Sequence, residues 1–375
     1  MINPDVPGFN PGGVKDRIDT RDYKWSEVGF GTAPFDWNVG YDIEAELRIK
    51  LNNPNFKFPV KDQDGSGSCG GQAWSYYGGA LEAYYTGSFE ERSAKFIYAQ
   101  TYVAPAGSPG RENCIVTKNQ GWAREAVLPS YDNGQPPGEA FMQRSQDISD
   151  IVRQDAARAK SLSYSNADVD IDTIARSIRD SKGIIIGIVG SNNGTWTSAF
   201  PNPPQMSEGR WYHWMYVGKA KILNGKKYIG ALQSWGLNCG NFPGCVIGEN
   251  GWQWISEDYI KTILPGDPYG RAIWSTWVLT YNTTPVPPLF THNFQTPISL
   301  GQSGDEVVAL QKALQIDGDF PISVPTTGFY GDITRRSVLK FQLKYKLDTP
   351  AVLNQLAGRS VGPKTRAHLN LLFNK

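Results

Sequence analysis

Cysteine and histidine are both scarce in this chain of 375 residues, with four of the first and three of the second. Four cysteines are too few for a disulfide-built scaffold. Cys239 and Cys245 could pair across a short loop or remain free thiols, and their spacing without further ligands is a weak zinc signal. Cys114 has no evident partner, and neither a metal nor a cofactor is expected. An excess of one charge is missing too. The 37 basic and 36 acidic side chains leave a net charge of +1, which points to neither nucleic acid nor acidic lipid as partner. No apolar run is long enough to span a bilayer. The residues Met1 to Gly8 have neither the basic nor the apolar segment of a secretory signal. Either the sequence is trimmed, or the protein reaches its target by another route, such as cell lysis or packaging in a virion.

What the chain does have is glycine (40), proline (25) and tryptophan (12), a mix that suggests a loop-rich protein and not a helical bundle. Its length suffices for two domains. The most informative stretch runs from Val60 to Ser75. It begins as a polar loop rich in glycine. It then takes up helical spacing at Ala73, Tyr76, Tyr77, Ala80, Leu81 and Tyr84. Ser68 is the expected N-cap, which places Cys69 in the first turn. Free N–H groups and a partial positive charge there favour thiolate over thiol. A free cysteine is ordinarily buried and inert. Here glycines on both sides argue for close approach of another group to the backbone.

Val60-Lys61-Asp62-Gln63 and Cys69 together resemble the nucleophile loop of the papain-like cysteine peptidases. In that family a glutamine six residues before the cysteine forms the oxyanion hole with the cysteine's own N–H. The resemblance assigns those roles to Gln63 and the Cys69 amide. Two departures stand out. The family's cysteine–tryptophan pair is Cys69-Gly70 here, with Trp74 one turn further on. The family's second cysteine, three before the nucleophile, is Ser66, so that disulfide cannot form. Phe35-Asp36-Trp37 resembles the start of the mature family domain. Too few residues precede it for the helical inhibitory prosegment of many members, so autoinhibition by such a prosegment is not expected.

Further along, helices are expected over 70–86, 93–100, 122–127, 148–160 and 171–180, and a buried strand over 183–189. Ser93 to Gln100 matches the family's Ser-x-x-Phe-x-Tyr segment. The strand from Gly209 to Ala220 carries His213, the only imidazole in the first 280 residues. A lone histidine on a strand is often structural. This one matches the family's histidine strand, which makes it the expected base. Gln233-Ser234-Trp235-Gly236 stands where the family has Asn-Ser-Trp-Gly. Trp235 matches as the shield of the imidazole. Gln233 keeps the carboxamide with one methylene added, so it must fold back to reach the ring. Gly251 to Ile260 resembles the closing segment of the fold. The resemblance spans about residues 35 to 280, and it rests on three motifs in the right order.

Beyond a proline-rich stretch come three helical stretches, Leu300 to Leu314, Gly328 to Gln342 and Val361 to Leu369, and the last two share one glycine–threonine–apolar phrasing. They resemble the small three-helix peptidoglycan-binding domain of cell-wall hydrolases, with Leu310, Leu314, Val338, Phe341 and Leu369 as core. The expected organisation is an extension (1–34), a papain-like peptidase domain (35–280), a linker (281–297) and a peptidoglycan-binding domain (298–375). The fold class is α+β: a two-lobed papain-like fold, one lobe helical and one β-barrel-like, with a small all-α C-terminal domain. The resemblance implies a monomeric cysteine endopeptidase acting through a Cys69–His213 thiolate–imidazolium pair. Cys69, His213, Gln233 and Gln63 are its catalytic residues and Trp235 supports them. Its partners are a protein or peptide substrate and peptidoglycan, with no nucleic acid and no membrane span. It is expected outside the cell, associated with the wall or with a virion, as a protease or a lysin. The alternative is a wall-binding structural protein with a degenerate peptidase-like domain, consistent with Gly70 and Gln233.

Overall fold

A computed structural model describes residues 12–16, 19, 22–25, 33–63, 65–132, 134, 138–205, 207–236, 250–283, 290–321 and 324–373. Cys239, Cys245 and residues 284–289 of the linker lie outside them. The chain divides into two compact units: Met1–Asp147 with Ala159–Thr283, and Ile148–Arg158 with Thr284–Lys375. No helix among the described residues is long and apolar enough to cross a membrane.

In the first unit the helices are α1 (Ile43–Lys50), α2 (Cys69–Thr86), α3 (Ala94–Thr101), α4 (Gly110–Asn119), α5 (Glu139–Met142), α7 (Ile171–Ser181) and α8 (Glu257–Lys261). Between α5 and α7, α6 (Asp150–Ala156) falls in the second unit. Side chains start several of them. Asp42 accepts from the Glu44 N–H, Ser93 from Phe96 and Asp170 from Thr173. α2 holds four glycines, each worth about 1 kcal/mol against helix. It forms because it is buried along most of its length, and because its glycines let neighbours touch the backbone. A Cβ at Gly78 would sit 2.6 Å from the Trp122 ring. The helix ends at Gly87, whose φ of 71° is left-handed.

The strands are β1 (Gly13–Val14), β2 (Tyr41–Asp42), β3 (Ser108–Pro109), β4 (Ser161–Ser165), β5 (Ile184–Ser191), β6 (Arg210–Leu223), β7 (Lys226–Leu232), β8 (Trp252–Ser256) and β9 (Ile273–Tyr281). Seven of them form one antiparallel sheet in the order β4-β9-β5-β6-β7-β8, with β2 on the far end of β6. β4 and β8 do not pair among the described residues, so this lobe is an open sheet and not the barrel-like one expected. β5 is apolar and wholly buried because it is central, flanked by β6 and β9. Its Ile184, Ile186 and Ile188 pack with Ile174 and Ile178 of α7, and with Trp211 and Met215 of β6.

The helix expected over 122–127 is instead a turn, in which Val127 N–H donates to Arg124 O at 3.0 Å. Pro129 follows closely and disfavours helical backbone before it. The expected helix 148–160 is confined to α6.

The second unit contains α9 (Asp305–Asp317), α10 (Asp332–Lys344), α11 (Pro350–Leu356) and α12 (Pro363–Phe373). Over residues 298–373 that is one helix more than the three expected, and α6 is a further helix of the same unit. Within this helical region there is also a short antiparallel pair, β10 (Ile298–Ser299) with β11 (Ser360–Val361). Its core joins Leu310, Leu314, Tyr330, Val338, Phe341 and Leu369.

Candidate active site

Stretches far apart in sequence meet around one sulfur. Cys69 is the first residue of α2 and is fully buried. The backbone amides of Trp214, Gly12 and Gly70 each favour its charged form, Trp214 most. Burial outweighs these and pushes the thiol up to about 12. Ser68 holds the N-cap position but makes no cap bond. Its hydroxyl instead meets Ser66 Oγ at 2.8 Å and Gln72 Nε2 at 3.2 Å. The serine therefore does not compete with the sulfur for the first-turn amides.

The glycine after the nucleophile has a steric cause. A Cβ at Gly70 would lie 2.2 Å from Ser108 Oγ and 2.6 Å from Asn113 Nδ2. The indole nearest this position comes from Trp214 on β6, whose Cδ1 would be 3.5 Å from that Cβ. The Trp74 ring meets it edge-on at 5.3 Å.

Gln63 is buried and fastened to the Ser-Trp-Gly motif. Its N–H donates to Ser234 O at 2.8 Å, and its Oε1 accepts from Ser234 Oγ at 2.6 Å. Asp62 and Trp235 form a β-bridge, and Gly236 N–H donates to Lys61 O at 2.9 Å. Ser66, in place of the family's cysteine, donates its hydroxyl to Gln63 O at 2.8 Å and accepts from Gln63 Nε2 at 3.0 Å. Hydrogen bonds thus hold the turn. Tyr76 of α2 joins the same region, accepting from Lys61 N–H at 2.6 Å and donating to Gln233 O at 3.0 Å.

His213 lies on β6 opposite Ile188 and is fully buried. The amide of the next residue, Trp214, is the main influence opposing burial at the Cys69 thiol, so strand and thiol share one cleft. Nε2 is 3.3 Å from Gln233 Oε1, which assigns the ring proton to Nε2 and leaves Nδ1 as the basic nitrogen. Burial lowers the imidazole to about 3, against the opposing pull of Gln233. Burial thus pushes both reacting groups toward their neutral forms. The Trp235 ring covers the imidazole with centroids 5.4 Å apart.

Gln253 on β8 was not singled out from the sequence. It is fully buried between Trp252 and Trp254. Its Nε2 donates to Trp196 O and Ser198 O, both at 2.8 Å, while its Oε1 accepts from Gln233 Nε2. That contact turns the Gln233 carbonyl oxygen toward His213. The signal was present: a polar residue inside an aromatic strand. Glu139 was missed as well, hidden among loop residues. Its carboxylate accepts from Gly67 N–H and Tyr98 Oη, each at 2.6 Å. Residues 12 and 13 also lie in the cleft, although no element of the N-terminal stretch was expected there.

Comparison with known proteins bears on both units. Residues 303–355 match the family described as a putative peptidoglycan binding domain. No curated protein sequence matches the chain. Among solved structures it is similar to xylellain, a cysteine protease from Xylella fastidiosa, at 19% identity and a TM-score of 0.56, covering 73% of this chain and 97% of that one. It is also similar to a procathepsin B from Trypanosoma congolense at 11% identity and a TM-score of 0.52, covering 73% and 87%. The chain therefore joins a papain-like cysteine protease fold to a C-terminal region that matches a peptidoglycan-binding family.

Proposed function

We propose that the first unit is a cysteine endopeptidase and that the C-terminal unit holds it at the bacterial cell wall. The observation that carries this is the hydrogen-bonded series Gln253–Gln233–His213 beside a cysteine at a helix N-terminus. Such a series aims Nδ1 as a base. With substrate bound, Nδ1 takes the thiol proton. The thiolate attacks the peptide carbonyl carbon, and the oxyanion is held by the Cys69 N–H and Gln63 Nε2. His213 then protonates the leaving amine, and water hydrolyses the acyl-enzyme. Trp235 keeps water from the imidazole–carboxamide bond. The wall unit raises the local concentration of enzyme at its substrate.

Cys69→Ala should abolish peptide hydrolysis while leaving the circular dichroism spectrum unchanged. Hydrolysis at the native rate would sink the assignment. Casein and purified sacculi, offered side by side, separate a protease of wall-attached proteins from a lysin of peptidoglycan cross-links. The degenerate-domain reading requires that neither be cut, even when the cleft is open.

A further inference from the structure

We propose that residues 195–199, in the loop between β5 and β6, decide which nitrogen of His213 carries the ring proton, with Trp196 and Ser198 as positioning residues. This rests on the peptidase reading and names what keeps its base in working form. A carboxamide has a donor end and an acceptor end of similar shape, so shape alone does not decide which way round it sits. Backbone carbonyls can only accept. In this loop Thr195 O closes a turn, accepting from Ser198 N–H at 3.0 Å and Ser198 Oγ at 2.7 Å. Trp196 O and Ser198 O face β8 instead, where both accept from Gln253 Nε2 at 2.8 Å. These two acceptors set the Gln253 nitrogen toward the loop and its oxygen toward Gln233. Gln233 then gives its nitrogen to Gln253, and its own oxygen faces His213 Nε2 at 3.3 Å. The proton is thereby placed on Nε2. The polarity of the whole series starts from two carbonyls that cannot reverse.

Turning Gln253 over would reverse every later step. Its nitrogen would meet Gln233 Oε1, the Gln233 nitrogen would meet the imidazole, and Nε2 would have to accept. The ring proton would move to Nδ1, leaving no base there for the thiol. With the loop in place that state is disfavoured, because it sets a buried amide oxygen against two carbonyl oxygens. The loop is held for this from both sides. Inside, the Trp196 ring is fully buried, with its centroid 4.6 Å from that of Trp211 and 6.0 Å from that of Trp235, the ring that covers the imidazole. Next to Gln253, Trp254 N–H donates to Ala199 O at 2.8 Å. On the outer side Thr195 Oγ1 donates to Asn193 Oδ1 at 2.7 Å and accepts from Asn202 N–H at 2.8 Å, which ties the two arms of the loop together.

The test uses protein labelled with 15N-histidine. The chain has three histidines, so His213 is assigned by the signals lost in His213→Ala. Its two nitrogen shifts read the tautomer whether or not the protein is active. The native chain should carry the proton on Nε2. Thr195→Val, which slackens the loop, and Gln253→Leu, which disconnects it, should each populate the Nδ1 form. Thr195→Val should also lower kcat roughly tenfold with KM little changed. Thr195→Ser keeps the hydroxyl and should restore both readouts. Because the loop acts through Gln253, adding Thr195→Val to Gln253→Leu should cause no further loss. Losses that multiply, or an Nε2 proton retained in both variants, would overturn the proposal. Tautomer shifts in a chain whose native form cuts no peptide would keep the role of the loop and overturn the peptidase reading.

Discussion

The cleft and the C-terminal unit both bury glutamine side chains, and they put them to different uses. In the C-terminal unit Gln311 Nε2 donates to Thr334 Oγ1 at 2.9 Å and Phe329 O at 3.0 Å, and its Oε1 accepts from Gly328 N–H at 2.9 Å. Gln342 repeats the arrangement one helix later, with Thr365 Oγ1 and Ser360 O both at 3.0 Å. Those partners are neutral and cannot titrate, so each glutamine is a staple between a helix and the turn that starts a later one. In the cleft, Gln253 is pinned by two carbonyls and pins Gln233 in turn, but the series ends on an imidazole. The same carboxamide chemistry fastens a fold in one place and orients a base in the other. What differs is whether the last partner can gain or lose a proton.

That contrast can be broken most sharply at Gln253. Gln253→Leu keeps the volume but frees Gln233 to turn. We expect kcat to fall on the order of tenfold to a hundredfold with KM little changed, as for other residues that orient a catalytic ligand. An unchanged kcat would make Gln253 another staple. The complementary change, Gln311→Ala, should leave hydrolysis of a short peptide intact. It should cost the C-terminal unit about 1–3 kcal/mol, because it strands a buried hydroxyl and an amide, and differential scanning calorimetry would register this as a lower melting transition.

Much of this was legible in the sequence, and the reasons are physical. The C-terminal unit is built from local repeats, so its glycine–threonine phrases and apolar spacing announce helix starts and core directly. Even so, α11 went unseen, because a seven-residue helix with one buried residue, Leu353, leaves almost no periodic trace. β5 was plain because a central strand must be apolar on both faces. Cys69, His213 and Trp235 stood out by residue type and order. Gln253 did not, since nothing local distinguishes a buried carboxamide that orients a neighbour from one on a surface. The turn at 122–127 was misread because helical spacing there is cut short by Pro129.

The sequence by itself determined which side chains could do chemistry: a single imidazole in the first 280 residues, a thiol at the start of a glycine-rich helix, and a carboxamide before Ser-Trp-Gly. Only the tertiary structure decided that the thiol and imidazole are both buried, where burial works against their charged forms. Protonation and access depend on what else occupies the space around a group. Here that occupant is a glycine pair more than fifty residues upstream of the sulfur, whose lack of side chains is meaningful only against the walls it slips between.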